Sequence, residues 1–195
     1  MAAPSPLRRT LFTALTGSQL GELRGMLLAV GGATTRTRSG IDLTAAARKL
    51  GVSRRTVERW VRTAETGRGQ RPSPRHAQQL TRRARQAVRS KSGRQAIVAT
   101  ARQQVAARGA RLSISGLQGP HAAGRDYMRR RLTQLDLDPA QAGALLDAYT
   151  QGGEQGFLSW ATDHWGREYL DDWTFGAVET VQVDTPQGGR WQPIS

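Results

Sequence analysis

The sequence predicts a mainly α-helical chain that ends in an α+β part with short strands. Three observations carry this expectation. Leu20, Leu23, Met26, Leu27 and Val30 recur at helical spacing near the start. The stretch from Arg75 to Arg108 is built largely from Ala, Gln and Arg, which are strong helix formers. Leu112-Ser113-Ile114-Ser115 instead alternates apolar and polar residues, and Val178, Thr180, Val181 and Val183 cluster strand-forming residues near the end.

Each element has its own local reason. The first helix covers 20–30 and stops at Gly31-Gly32. Residues 34–40 are polar and read as a loop, with Arg36 and Arg38 on it. Short helices follow over 43–50 and 54–63, then a linker over 66–74 rich in Gly, Arg and Pro. Ser92-Gly93 breaks the Ala, Gln and Arg stretch into two basic helices. A strand at 112–115 leads to a loop over 116–120 and a helix over 123–135. Asp138 as N-cap and Pro139 at the first helical position start a helix over 139–150. A further helix covers 154–170, a last strand lies around 178–183, and residues 186–195 form a loose tail.

Composition narrows the function classes. With 195 residues, 37% hydrophobic residues and 22 Gly, the chain is long enough for one domain with an appendage or two small ones. The absence of Cys excludes disulfide frameworks, thiolate zinc sites and Cys nucleophiles. No apolar run approaches the ~18 residues of a membrane span. Thr, Gly, Gln and Glu interrupt the stretch after Leu7-Arg8-Arg9, so no export signal is expected and the chain reads as soluble and cytoplasmic.

Charge is the strongest compositional signal. Lys+Arg number 29 against 15 Asp+Glu, a formal +14, which points to a polyanion and first to nucleic acid. Residues 1–47 hold five Arg against Glu22 and Asp42, net +3; residues 48–111 hold 18 Lys or Arg against Glu58 and Glu65, net +16. Residues 112–195 hold six Arg against eleven acids, net −5. The basic middle is the expected DNA-facing part, and the acidic end the expected structural or partner-facing part.

The run from Thr44 to Val61 carries the most information. Ala47 is small enough for two helices to cross closely, and Gly51 permits a left-handed turn between them. Leu50, Val52, Val57 and Trp60 share a core, and Ser53 caps the second helix. Arg54, Arg55 and Thr56 then stand at that helix's N-terminal end, with Arg59 and Arg62 in the following turns. This is the pattern of a helix-turn-helix, whose second helix enters the major groove. Its arginines reach guanine edges or phosphates, and Thr56 a phosphate or a thymine methyl. The basic stretch with Arg75, Arg82, Arg83, Arg85, Arg89, Lys91 and Arg94 extends the surface along a nucleic-acid backbone. The domains expected are residues 1–65 for the helix-turn-helix, 66–109 for the basic linker and helices, 110–185 for a C-terminal part, and 186–195 for the tail.

Motifs for catalysis are missing. The chain has no Walker loop, no His-Glu-x-x-His and no Gly-x-Ser-x-Gly. His76, His121 and His164 lie far apart and read as surface or capping residues. Asp163, Glu168, Asp171 and Asp172 read as a solvated acidic face rather than a metal centre. Tyr149 reads as core, and Trp160, Trp165, Trp173, Phe157 and Phe175 as packing for the C-terminal part.

The run from Gly51 to Val61 resembles the corresponding segment of the telomere-associated terminal proteins of linear streptomycete chromosomes and plasmids. The order of later pieces resembles that family too: Arg71-Pro72-Ser73-Pro74, the basic helix from Leu80 to Arg89, Ala110-Arg111-Leu112, and Arg129-Arg130-Arg131-Leu132-Thr133. The likeness covers roughly 22–183. It implies a protein joined covalently to the 5′ ends of a linear replicon, a primer rather than a catalyst and without a cofactor of its own. One side-chain hydroxyl would accept the first nucleotide. The family's acceptor follows the Ala-Arg-Leu segment, and the matching position here is Ser115, with Ser113 beside it, in Ser113-Ile114-Ser115 where the family carries Gly-Tyr-Thr. The resemblance implies a DNA polymerase and a telomere-associated protein as partners, a nucleoid location and a possible homo-oligomer. A site-specific transcriptional regulator or partition protein is the alternative, and a recombinase a third reading.

Overall fold

The computed structural model describes residues 5–122, 124–169 and 172–184, and its contacts divide them into two units, one of 15–103 and one of 5–14 with 104–184. The tail expected over 186–195 lies outside the described residues, as does Asp171. The architecture is mainly helical with one small antiparallel sheet, as the sequence predicts. Among the described residues no helix is long and apolar enough to cross a membrane.

A helix absent from the sequence reading opens the chain: α1 (Pro6–Thr16) buries Leu11, Phe12 and Leu15. Of the threonines in this stretch Thr16 is buried, while the Thr10 and Thr13 hydroxyls donate back to the carbonyls of Pro6 and Arg9. Arg8 and Ser5 both engage the Glu154 carboxylate.

The helices α2 (Leu23–Gly31), α3 (Leu43–Leu50), α4 (Arg54–Thr66), α5 (Pro74–Arg89) and α6 (Lys91–Ile97) pack together in the basic unit. Their shared core is Leu27, Leu28, Val30, Ile41, Ala46, Leu50, Val57, Trp60, Leu80, Ala84, Val88 and Ile97. The α5 stripe Leu80, Ala84 and Val88 recurs every four residues, and this spacing docks α5 against α2. The basic stretch forms three helices rather than two. It breaks at Ser90, not at Ser92-Gly93, because Ser90 ends α5 and its hydroxyl accepts from the Gly93 N–H to cap α6. The third piece is α7 (Ala99–Arg108).

The other unit is organised by β1 (Ala110–Ala122), which pairs antiparallel with β2 (Arg125–Asp126), with β3 (Arg129–Leu137) and with β4 (Trp173–Asp184). Two sequence expectations fail here. The strand continues through the loop expected over 116–120, and strands β2 and β3 replace the helix expected over 123–135. Burial along β3 explains the second failure: Thr133 and Leu137 are buried and Arg131 and Leu135 half-buried, while Arg130, Leu132, Gln134 and Asp136 are exposed. That is a period of two, and pairing with β1 outweighs the helix propensity of the arginines.

Helix α8 (Pro139–Glu168) covers the apolar face of this sheet. Asp138 and Gln141 form the reciprocal capping box that starts it, and Gly153, at φ 63°, kinks it between the two helices expected from the sequence. Tyr149, Phe157 and Trp165 are buried on its inner side, with Trp165 edge-on to Phe175 at 5.7 Å. His164 is buried beside them and stacks on Trp160 at 4.6 Å.

Burial holds the His164 imidazole below its ordinary value of 6.5. The unfolded chain therefore takes up this proton more readily than the fold does. The contribution is intact above 6.5 and is lost as the pH falls below it. The melting temperature is predicted to drop as a sample is acidified past that point, with a flatter slope in His164→Gln. Parallel slopes for the two proteins would assign the pH dependence to other groups.

Candidate nucleic-acid interface

The turn between α3 and α4 is closed by backbone geometry. Gly51 sits at φ 67° and ψ 34°, the left-handed conformation, and the Val52 N–H donates to the Ala47 carbonyl at 3.1 Å. The Gly51 N–H reaches Arg48, which completes a Schellman pair and satisfies the end of α3. Ser53 then caps α4, its hydroxyl accepting from the Thr56 N–H at 3.1 Å. Asp42 does the same for α3 through Ala45 at 2.8 Å.

Burial of Val57, Trp60 and Val61 sets the rotation of α4 about its axis. The helical period then places Arg55, Arg59 and Arg62 together on the exposed side, at positions i, i+4 and i+7. Arg54 is also exposed, but it pairs with Glu58 one turn on at 3.0 Å. Thr56 is half-buried, and its hydroxyl lies 2.8 Å from that of Ser53. Of the α4 residues named from the sequence, Arg55, Arg59 and Arg62 thus share one exposed side, while Arg54 and Thr56 stand to either side of it.

A further basic residue comes from the loop after α4, which the sequence reading treats as a linker. Gly67 and Gly69 take positive φ, and the Thr63 hydroxyl donates to the Arg59 and Gln70 carbonyls at 2.9 and 3.0 Å. The Thr66 hydroxyl accepts from the Arg68 N–H at 3.2 Å. These bonds fold the loop back, so that Arg59, Arg62 and Arg68 line one shallow depression with Gly69 and Gln70. The signal in the sequence is Thr63 and Thr66, one turn apart and followed by Gly67.

Helix α5 adds a second row. Ser73 caps it, and His76 at its start lies 5.6 Å from the buried Trp60 ring of α4. Opposite its buried stripe, Arg82, Arg83 and Arg89 are exposed, while Arg85 is half-buried. Arg94, expected to extend the row, is 7% exposed, and its guanidinium donates to the Arg89 carbonyl at 2.6 Å. Arg94 is therefore a structural clamp on the end of α5. Arg36 and Arg38 are exposed on a short loop closed by the Ala33 to Ile41 bridge.

The two serines lie in the other unit, in β1, the strand flanked by β3 and β4. Both belong to the polar face of the sheet. Ser113 is 2% exposed and accepts from the Gln134 amide at 3.1 Å, whereas Ser115, between Leu132 and Thr180, is half-exposed. At the end of the same face Arg111 binds Asp136 through two hydrogen bonds, of 2.6 and 2.9 Å. This pairing raises the guanidinium's affinity for its proton and lowers that of the carboxyl. The histidines are dispersed: His76 lies against Trp60, His121 pairs with Asp126 at 2.7 Å, and His164 stacks on Trp160. Among the described residues no three His, Asp or Glu converge as a metal-binding group.

Residues 35–72 match the homeodomain-like domain family, which takes in α3, α4 and the loop that follows. No curated protein and no solved structure matches the chain. The chain carries a helix-turn-helix DNA-binding domain, and DNA is its partner.

Arg55→Ala and Arg59→Ala are each predicted to weaken duplex binding by about 1–3 kcal/mol without lowering the melting temperature, because both side chains are exposed. For every arginine–phosphate pair removed, the slope of log affinity against log salt should fall by about 0.9. Fluorescence anisotropy over a salt series checks both, and affinities equal to wild type would move the interface off α4.

Proposed function

We propose that this chain is a terminal protein of a linear replicon, which holds a DNA end through its helix-turn-helix unit and offers a serine hydroxyl as primer for end-filling synthesis. The observation that carries the reading is Ser115. It lies at the position matching the family's acceptor, on the polar face of a sheet, in a unit distinct from the one with the DNA-binding domain. Ser113 is the weaker candidate, since it is buried and already bonded to Gln134.

In the proposed step the Ser115 hydroxyl oxygen attacks the α-phosphorus of an incoming deoxynucleoside triphosphate. A phosphodiester bond to the serine forms, the bond between the α-phosphorus and its bridging oxygen breaks, and pyrophosphate leaves. The hydroxyl proton would pass to a base of the partner polymerase, whose metal ions would supply stabilisation of the developing charge. The new nucleotide then presents its 3′-hydroxyl for extension. The chain supplies the nucleophile and its position, and the polymerase supplies catalysis. A DNA polymerase and a telomere-associated protein are the partners of this reading, with the protein on the nucleoid.

Mass spectrometry of nuclease-treated protein, purified with its own DNA, is predicted to find a nucleotide adduct on the peptide containing Ser115. Ser115→Ala should abolish it, whereas Ser115→Thr and Ser113→Ala should retain it. Unmodified protein at full coverage of that peptide, recovered from replicon ends, would leave a DNA-binding regulator or partition protein that is never covalently attached.

A further inference from the structure

Residues 112–195 are acidic overall, yet four of their six arginines fall within seven residues, at Arg125, Arg129, Arg130 and Arg131. The fold brings this cluster to the end of the sheet where β2 and the start of β3 run beside β1. Arg125, Arg129 and Arg130 are exposed, and among the described residues Arg125 and Arg129 have no ion-pair partner. Arg130 reaches Glu179 at 3.1 Å, but both ends of that pair are open to water, where such an interaction is weak and readily exchanged for a phosphate.

In the middle of this run stands an exposed aromatic residue. Tyr127 is 42% exposed, while its backbone is fixed on both sides. Its N–H donates to the Pro120 carbonyl at 3.0 Å, and its own carbonyl accepts from Arg131 at 3.2 Å. The Arg131 guanidinium in turn lies 5.4 Å from the Trp173 ring centroid. Gly119 permits the close approach, since a Cβ there would stand 2.3 Å from the Tyr127 carbonyl oxygen. Arg125 and Arg129 stand opposite Ala122 and Gln118 of β1, on one face of the sheet, with the exposed Tyr127 between them in sequence. They are the parts of a site that takes phosphates and a base at once, and a base free to stack is an unpaired one.

We propose that this end of the sheet binds single-stranded DNA, with Arg125 and Arg129 on phosphates and Tyr127 stacked on a base. The site goes beyond the α4 surface, and binding here does not require priming to be correct.

The test uses the full chain and two fluorescein-labelled probes, an unstructured DNA strand of about 20 nucleotides and the matching duplex, titrated by anisotropy. R125S/R129S is expected to lose about tenfold in affinity for the single strand and about 1.4 in its salt slope, with duplex affinity kept within about twofold. Tyr127→Ala should lose about fivefold or more on the single strand, and Tyr127→Phe should keep wild-type affinity. R55A/R59A should show the reverse pattern, losing duplex and keeping single strand. Circular dichroism melts confirm that each variant is folded. Single-strand affinity unchanged in both R125S/R129S and Tyr127→Ala would overturn the proposal. So would an equal loss on the two probes, which would mark a backbone interaction blind to strandedness, or binding of an acidic peptide in place of either. A silent R55A/R59A beside affected Arg125, Arg129 and Tyr127 variants would instead remove the α4 reading and leave this one standing.

Discussion

The DNA-binding surface depends on one turn of backbone. At Gly51 the chain takes the left-handed conformation, and the two bonds that follow, from Gly51 and Val52 back into the last turn of α3, fix where α4 begins. A Cβ at Gly51 would meet nothing within 4 Å, so glycine is needed for the dihedral angle alone, a preference of about 1–2 kcal/mol. From that start the burial of Val57, Trp60 and Val61 sets the helix rotation, and the outward arginines follow from the 3.6-residue period. The packing of Trp60 on His76 carries the same constraint into α5.

Charge is distributed to suit this surface. The segment with net +16 has only Glu58 and Glu65 as counter-charges, and crowding so many cations onto five short helices opposes folding. The fold limits that cost by leaving Arg55, Arg59, Arg62, Arg82, Arg83 and Arg89 in water, where salt screens them. The exception is Arg94, whose buried guanidinium is matched to a carbonyl at the end of α5, where a positive charge also meets the negative end of the helix dipole. Elsewhere the exposed guanidiniums keep counterions that DNA phosphates displace, so the arrangement least harmful to the fold is also the one ready for a polyanion.

The helix-turn-helix was legible in the sequence because its determinants are local. Ala47, Gly51, Ser53, Val57 and Trp60 act within a few residues of one another, and Asp138 with Pro139 announced α8 in the same way. What was not legible depended on partners far along the chain. Nothing within 123–135 distinguishes an Arg-rich helix from a strand, because the deciding interaction is the pairing of Ser113, Ile114 and Ser115 with Gln134, Thr133 and Leu132. The α1 helix was hidden because its apolar side is narrow and gains its value only when Leu11 and Phe12 are buried. Ser92-Gly93 looked like the break, but a cap decides otherwise: Gly93 lies close against the Ala87 carbonyl, and its N–H is the one Ser90 accepts. Arg68 joined the candidate site only because two threonine hydroxyls fold the loop back.

On the proposed reading, the placement of Ser115 bears on how a primer must work. The backbone of β1 pairs on both sides at this position, with Leu132 and with Thr180, so the hydroxyl is the group left to react and the strand cannot swing toward a substrate. Immediately afterwards the register with β4 shifts, and Gly116 lies so near the Ala177 carbonyl that a Cβ there would stand 2.0 Å away. A bulge of this kind re-aims the side chains beside it while holding them rigidly. A nucleophile fixed in this way loses little conformational freedom on reaction, but the triphosphate and the catalytic metal ions must then be brought to it. That requirement assigns the movement to the polymerase. On the same reading, the DNA-binding unit of this chain would keep the replicon end at high effective concentration during the encounter.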